Sequence, residues 1–117
     1  FEIINPDYED ITYDILESPT KVTLAVMYDL TISDLTQTPK LLRLYHEAQA
    51  RGEMFYILTG SATTDVEAFC ANNNAQELAP IICACDPITL KTIVRANPGI
   101  VELKNGKVIN KYNLRNQ

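Results

Sequence analysis

The stretch that decides the fold is residues 86–113, DPITLKTIVRANPGIVELKNGKVINKYN. Asp86-Pro87 reads as a helix start, a capping carboxylate followed by a proline whose φ is already helical. Leu90, Ile93 and Val94 then fall on one inward face. Asn97-Pro98-Gly99 ends the helix. Ile100–Lys104 and Lys107–Tyr112 flank Asn105-Gly106, the dipeptide best suited to the two positive-φ positions of a tight hairpin turn. The chain therefore closes on a helix, an X-Pro step and a β-hairpin.

Upstream, strands and helices alternate. Lys21–Tyr28 (KVTLAVMY) is nearly continuous in apolar and β-branched residues, the pattern of a strand buried on both faces of a parallel sheet. Asp29–Thr36 is a polar loop. Leu41, Leu44, Tyr45 and Ala48 then give a helical stripe that Gly52 stops. This helix starts either at Thr38, with Pro39 in first position, or at Ser33, with Pro39 bending a longer helix. Met54–Leu58 is a second strand and Thr59-Gly60-Ser61 a turn. Thr64 and Glu67 have capping-box spacing ahead of the apolar face Val66, Phe69 and Cys70. Pro80–Cys85 reads as a short third strand. Residues 1–20 are acidic, and Tyr8, Ile11 and Ile15 have the spacing of a short amphipathic helix that Ser18-Pro19 ends. The order helix, β, α, β, α, β, α, hairpin predicts an α/β sandwich with a central mixed sheet.

A chain of 117 residues and 13.1 kDa is one domain, spanning 1–117, with an ordinary globular composition. A net charge of −5, from 10 basic and 15 acidic residues, argues against nucleic acid as a partner. Three unevenly spaced cysteines are too few for a disulfide framework. The longest apolar run falls far short of the ~18 residues that a membrane helix needs. A start at Phe1 rather than Met reads as part of a longer protein.

A buried strand leads through a polar loop into a helix with an early proline, and a helix, X-Pro and Asn-Gly hairpin follow later. This order resembles the thioredoxin fold, and the likeness covers nearly the whole chain from Lys21. It implies a three-layer sandwich with Pro98 as the cis-proline. Pro80–Ala96 resembles the insertion of the peroxiredoxin-like and TlpA-like branch. Residues 86–113 resemble, more narrowly, the C-terminal soluble domain attached to DoxX-type bacterial membrane proteins, through Lys91-Thr92-Ile93, Arg95-x-Asn97-Pro98-Gly99 and Lys104-Asn105-Gly106. That likeness implies a domain on the extracytoplasmic (periplasmic) face of a bacterial membrane, held there by a region preceding Phe1.

The departure from the family is chemical. If Pro39 corresponds to the family's helix proline, the CxxC falls at Thr31-Ile32-Ser33-Asp34, where no thiol stands. Dithiol exchange needs a low-pKa thiolate at a helix N-terminus and a resolving thiol beside it. Two readings of Pro98 stay open: it shapes a turn only, or its loop retains a groove for a peptide or protein partner. The groove residues are then Tyr28, Asp29, Thr31, Ser33 and Asp34 on one side, and Asn97 and Pro98 on the other. The alternative is a thiol-dependent oxidoreductase using Cys83 or Cys85. These lie two apart on one strand face, with Cys85 just ahead of the Asp86-Pro87 helix start. Cys70 reads as core.

No cofactor is predicted. A metal site would need His46, the only histidine, which has no ligand at local spacing. Asp29, Thr59 and Lys91 match three motifs of haloacid-dehalogenase phosphatases. Thr31, however, stands where the second aspartate belongs, and only Glu102 is offered for magnesium. The expectation is a non-catalytic thioredoxin-like binding domain.

Overall fold

The computed structural model describes residues 1–116. It contains α1 (Thr12–Leu16), β1 (Val22–Val26), α2 (Thr38–Arg51), β2 (Met54–Thr59), α3 (Thr63–Asn72), β3 (Ile82–Ala84), α4 (Pro87–Ile93), β4 (Gly99–Lys104) and β5 (Lys107–Asn113), with 3₁₀ turns at Leu35–Gln37, Gln76–Ile81 and Leu114–Asn116. The strands form one mixed sheet in the order β3-β2-β1-β4-β5. β1 pairs in parallel with β2, and β2 with β3. β1 and β5 both pair antiparallel to β4. All five β1 residues are buried, as a central strand covered on both faces requires.

Alternation along the strands sends side chains into two cores. On one face Ala25, Ile57 and Ile100 pack beneath Leu41 and Ala48 of α2, Phe69 and Cys70 of α3, and Leu114. On the other, Val22, Leu24, Val26, Leu58, Val101 and Leu103 pack beneath Ile3, Ile11 and Ile15 of the leading segment and Leu90 of α4. The result is the three-layer α/β sandwich that the sequence predicts. At the sheet margin, Ile4 exchanges backbone hydrogen bonds of 3.0 and 2.8 Å with Ala84, so the first residues cover the β3 edge. The β5 edge is exposed along most of its length and carries Lys107, Lys111 and a bulge, all features that discourage edge-to-edge pairing. Asn105 and Gly106, at φ 53° and 75°, make the hairpin turn as expected.

Several predicted boundaries move. Tyr8 is not helical: it is exposed, with φ 64°, at the tip of a turn in which the Asn5 side chain accepts from the Asp7 and Glu9 amides. The helix waits until Thr12, where the Asp10 carboxylate takes the first free amide. The Thr64–Glu67 capping box does not form, because α3 already starts at Thr63 with Ala62 at the cap. Neither candidate start of α2 caps it. Asp34 instead caps the turn Leu35–Gln37, and that turn runs directly into Thr38. β3 is shorter than Pro80–Cys85, since Pro80 belongs to a 3₁₀ turn. Asp86 does cap α4, accepting from the Ile88 and Thr89 amides.

The join between β2 and α4 depends on Gly60. A Cβ there would lie 2.5 Å from Cβ of Pro87, so α4 can sit at this height only over a glycine. Gly60→Ala is expected to cost about 1–3 kcal/mol through overpacking. Leu41→Ala, which empties a fully buried site, is expected to cost about 3 kcal/mol. Val108→Thr, at an exposed position, is expected to stay within ~0.5 kcal/mol. Urea denaturation of the three variants checks this ranking.

Candidate functional site

Val26 of β1 pairs with Gly99 of β4, so the loop leaving β1 meets the link entering β4 at one edge of the sheet. Asn97 joins them. Its Nδ2 donates to the Asp29 carbonyl at 2.9 Å and its Oδ1 accepts from Ser33 Oγ at 2.9 Å. Its backbone carbonyl accepts from the Asp34 amide at 2.9 Å. The Asn97-Pro98 peptide is cis, as the resemblance implies, and Pro98 is buried.

The structure thus brings Asp29, Ser33, Asp34 and Asn97 into one hydrogen-bonded cluster, while the Pro98 carbonyl accepts from the Leu114 amide instead. The two sides of the expected groove touch directly, so the surface open to a ligand is the outer face of the loop rather than a slot between walls. On that loop Ile32 is 64% exposed, and Leu35, which sequence reasoning passed over, is 42% exposed. Ser61 was also passed over. Its Oγ accepts the Leu30 amide at 2.9 Å, because parallel β1 and β2 end side by side. Spacing in sequence carries no signal for that contact.

The carboxylates of the site are held by their neighbours. Asp29 Oδ1 accepts from Thr31 Oγ1 at 2.6 Å and from the Thr31 amide at 2.9 Å. The Thr31 hydroxyl above all, then its amide and the nearby Lys91, hold the Asp29 carboxyl below its ordinary value. Asp34 repeats the arrangement with Thr36 and adds Arg115, whose Nε lies 3.4 Å away. The Thr36 hydroxyl is again the largest cause of the lowered Asp34 pKa. Asp10 and Thr12 repeat it a third time. Asp-x-Thr, at 10–12, 29–31 and 34–36, is the sequence signal that locates all three turns.

Asp29 and Lys91 line one depression of about 390 Å³ with Tyr28, Thr31 and Ser61. Lys91 Nζ stands 5.1 Å from the Tyr28 ring centroid. Thr59 does not join them: it is buried, and its hydroxyl accepts the Ser61 amide. The three residues of the phosphatase motif are therefore not assembled.

The cysteines sit elsewhere. Cys70 packs in the core, and Cys83 and Cys85 face the second core together, all as free thiols. Burial pushes the Cys83 thiol up to about 12, and Cys85 adds to the effect. Cys85 lies at the start of α4, but burial raises its pKa more than the Asp86 amide lowers it. His46 pairs with Glu77 at 3.0 Å on the surface. No three metal-ligating side chains converge among the described residues.

These features define a thioredoxin-like fold: the central strand, the loop into the long helix, the facing cis-proline and the closing hairpin. No family model matches the chain, and no curated protein matches it in sequence. Solved structures do match in fold. A thiol-disulfide oxidoreductase from Bacteroides fragilis is similar at a TM-score of 0.73 and 12% identity, covering 96% of this chain and 86% of its own. StoA from Bacillus subtilis is similar at 0.66 and 16%, covering 95% and 84%. A secreted Mycobacterium tuberculosis disulfide oxidoreductase is similar at 0.67 and 12%, covering 97% and 82%. At such identities the likeness is one of fold. No helix among the described residues is long and apolar enough to cross a membrane.

A pH dependence follows for the loop. Carboxylates lowered from an ordinary 3.8 stabilise the native loop above that value and lose their effect as pH falls through the lower folded values. Hydrogen exchange at the Thr31 and Thr36 amides, normalised to an unstructured reference, is expected to lose protection below about pH 4. Equal protection at pH 6 and pH 2 would contradict the assignment.

Proposed function

We propose that this chain is a thioredoxin-like domain that has lost the redox dithiol and serves as a binding or accessory module for a peptide or protein partner. Its working face is the loop of Asp29, Thr31, Ser33 and Asp34, with Tyr28 beside it and Asn97-Pro98 beneath. The observation that carries the reading is the identity of residues 31–34. In the loop ahead of the long helix, joined by hydrogen bonds to the residue before the cis-proline, a threonine and an aspartate that caps a 3₁₀ turn stand where dithiol exchange needs two sulfurs. Exposed Ile32 and Leu35 give that face apolar contact area. We place the domain on the extracytoplasmic side of a bacterial membrane, attached through a region outside these residues. The likeness of residues 86–113 to DoxX-associated domains supports this, as does the secreted character of one structural neighbour.

The competing reading, an oxidoreductase acting through Cys83 or Cys85, draws on the oxidoreductases among the structural neighbours and on the place of Cys85 at a helix start. Thiol titration of the native protein separates the two. With Cys83 at about 12 and Cys85 raised, reaction with a disulfide reagent at pH 8 is expected to be slow when folded and fast in denaturant. One or two thiols reacting rapidly in the folded state would overturn the binding-module reading. In the converse experiment, Thr31→Cys/Asp34→Cys is expected to gain disulfide exchange toward insulin that the parent chain lacks.

A further inference from the structure

A second concavity adjoins the loop face. It has a volume of about 640 Å³ and is lined by Tyr28, Ile88, Lys91, Thr92 and Arg95. In a chain with 15 acidic and 10 basic residues, this lining holds two cations and no carboxylate. Neither cation has a carboxylate within ion-pair distance among the described residues, while Asp29 and Asp65 line the adjoining depression with Lys91. Lys91 lies in the last turn of α4, where a cation complements the helix dipole, and Arg95 lies beyond the helix end. Lys111 also serves that end of the helix, its Nζ donating to the Ile93 carbonyl at 2.9 Å. One turn before Lys91, Ile88 is 71% exposed, an apolar side chain set beside two cations and a tyrosine ring. Tyr28 and Lys91 also line the depression that holds Asp29 and Thr31, so the loop face runs on into this hollow without a break.

We infer that the hollow docks an extended acidic segment of a partner polypeptide, with carboxylates against Lys91 and Arg95 and an apolar side chain against Ile88 and Tyr28; the inference rests on the reading of the loop as a binding face. A free inorganic anion would leave Ile88 and the Tyr28 ring without a contact. A polyanionic duplex would meet two cations on a chain of net charge −5. An extended peptide supplies both chemistries, because residues two apart leave a strand on the same side, so a carboxylate and an apolar side chain can both face the hollow. Opposite charge across such a face also selects against basic partners.

The probes are a fluorescein-labelled peptide with Glu and Val at every second position, so that both lie on one strand face, and its twin with Lys in place of Glu, titrated by fluorescence anisotropy. The Glu peptide is expected to bind about tenfold tighter than the Lys peptide, and to weaken as ionic strength rises past ~0.15 M. Lys91→Glu/Arg95→Glu is expected to reverse the preference while the circular-dichroism spectrum of the folded chain is retained, since both side chains are exposed. If both peptides bind equally, and both are lost in Ile32→Asp/Leu35→Asp, the acidic-segment inference falls and the loop face stands. Binding of neither peptide to the parent chain overturns the inference together with the peptide reading of the loop. Equal Glu-peptide affinity in the parent and the Lys91→Glu/Arg95→Glu variant overturns the hollow. So does displacement by inorganic phosphate at matched ionic strength, which would make it a simple anion site.

Discussion

The amide of Asn97 is the contact on which the candidate site depends. It lies between the loop leaving β1 and the link entering β4, donating to one carbonyl and accepting one hydroxyl, while its own backbone carbonyl takes the Asp34 amide. Without these bonds the loop would leave polar backbone groups unpaired beside a part-buried surface, at a cost comparable to several hydrogen bonds. With them, residues 29–34 are pinned over the cis-proline and Ile32 is pushed outward. The face that a partner would meet is therefore a consequence of internal satisfaction, not of an open slot.

The same economy explains which groups remain for chemistry. Asp29 and Asp34 are occupied by the threonines two residues on, and Asp86 by the first amides of α4 and the Thr89 hydroxyl. The thiols are buried in the two cores, where desolvation disfavours the thiolate. Beside the loop, the surface offers the exposed aliphatic side chains Ile32, Leu35 and Ile88 and the cations Lys91 and Arg95.

Some of this arrangement could be read in one dimension. The stripe Leu41, Leu44, Tyr45 and Ala48, the Asp86-Pro87 start and the Asn105-Gly106 turn are local devices, and each appears where it was expected. The leading segment was harder. Tyr8, Ile11 and Ile15 have helical spacing, yet Asn5 and Asp10 bind nearby amides and delay the helix to Thr12. The capping box at Thr64 is absent for another reason: the helix starts two residues earlier, with Ala62 at the cap and no side-chain hydrogen bond there. Side-chain competition for backbone amides shifts element ends without disturbing the apolar pattern that sets their type.

The amino-acid sequence by itself determined the order of elements, the buried central strand, the place of Pro98 and the lack of sulfur at residues 31–34, because periodicity, turn chemistry and residue identity are properties of the chain alone. Only the tertiary structure decided that Asn97 closes the two sides of the site together and that Ser61 reaches Leu30. It alone buries Cys85 at a helix start and joins Tyr28 to Lys91 and Arg95 in one hollow. Those contacts span tens of residues, and they exist because β1 is paired at once with β2 and β4, a pairing set by the packing of both cores rather than by any local motif.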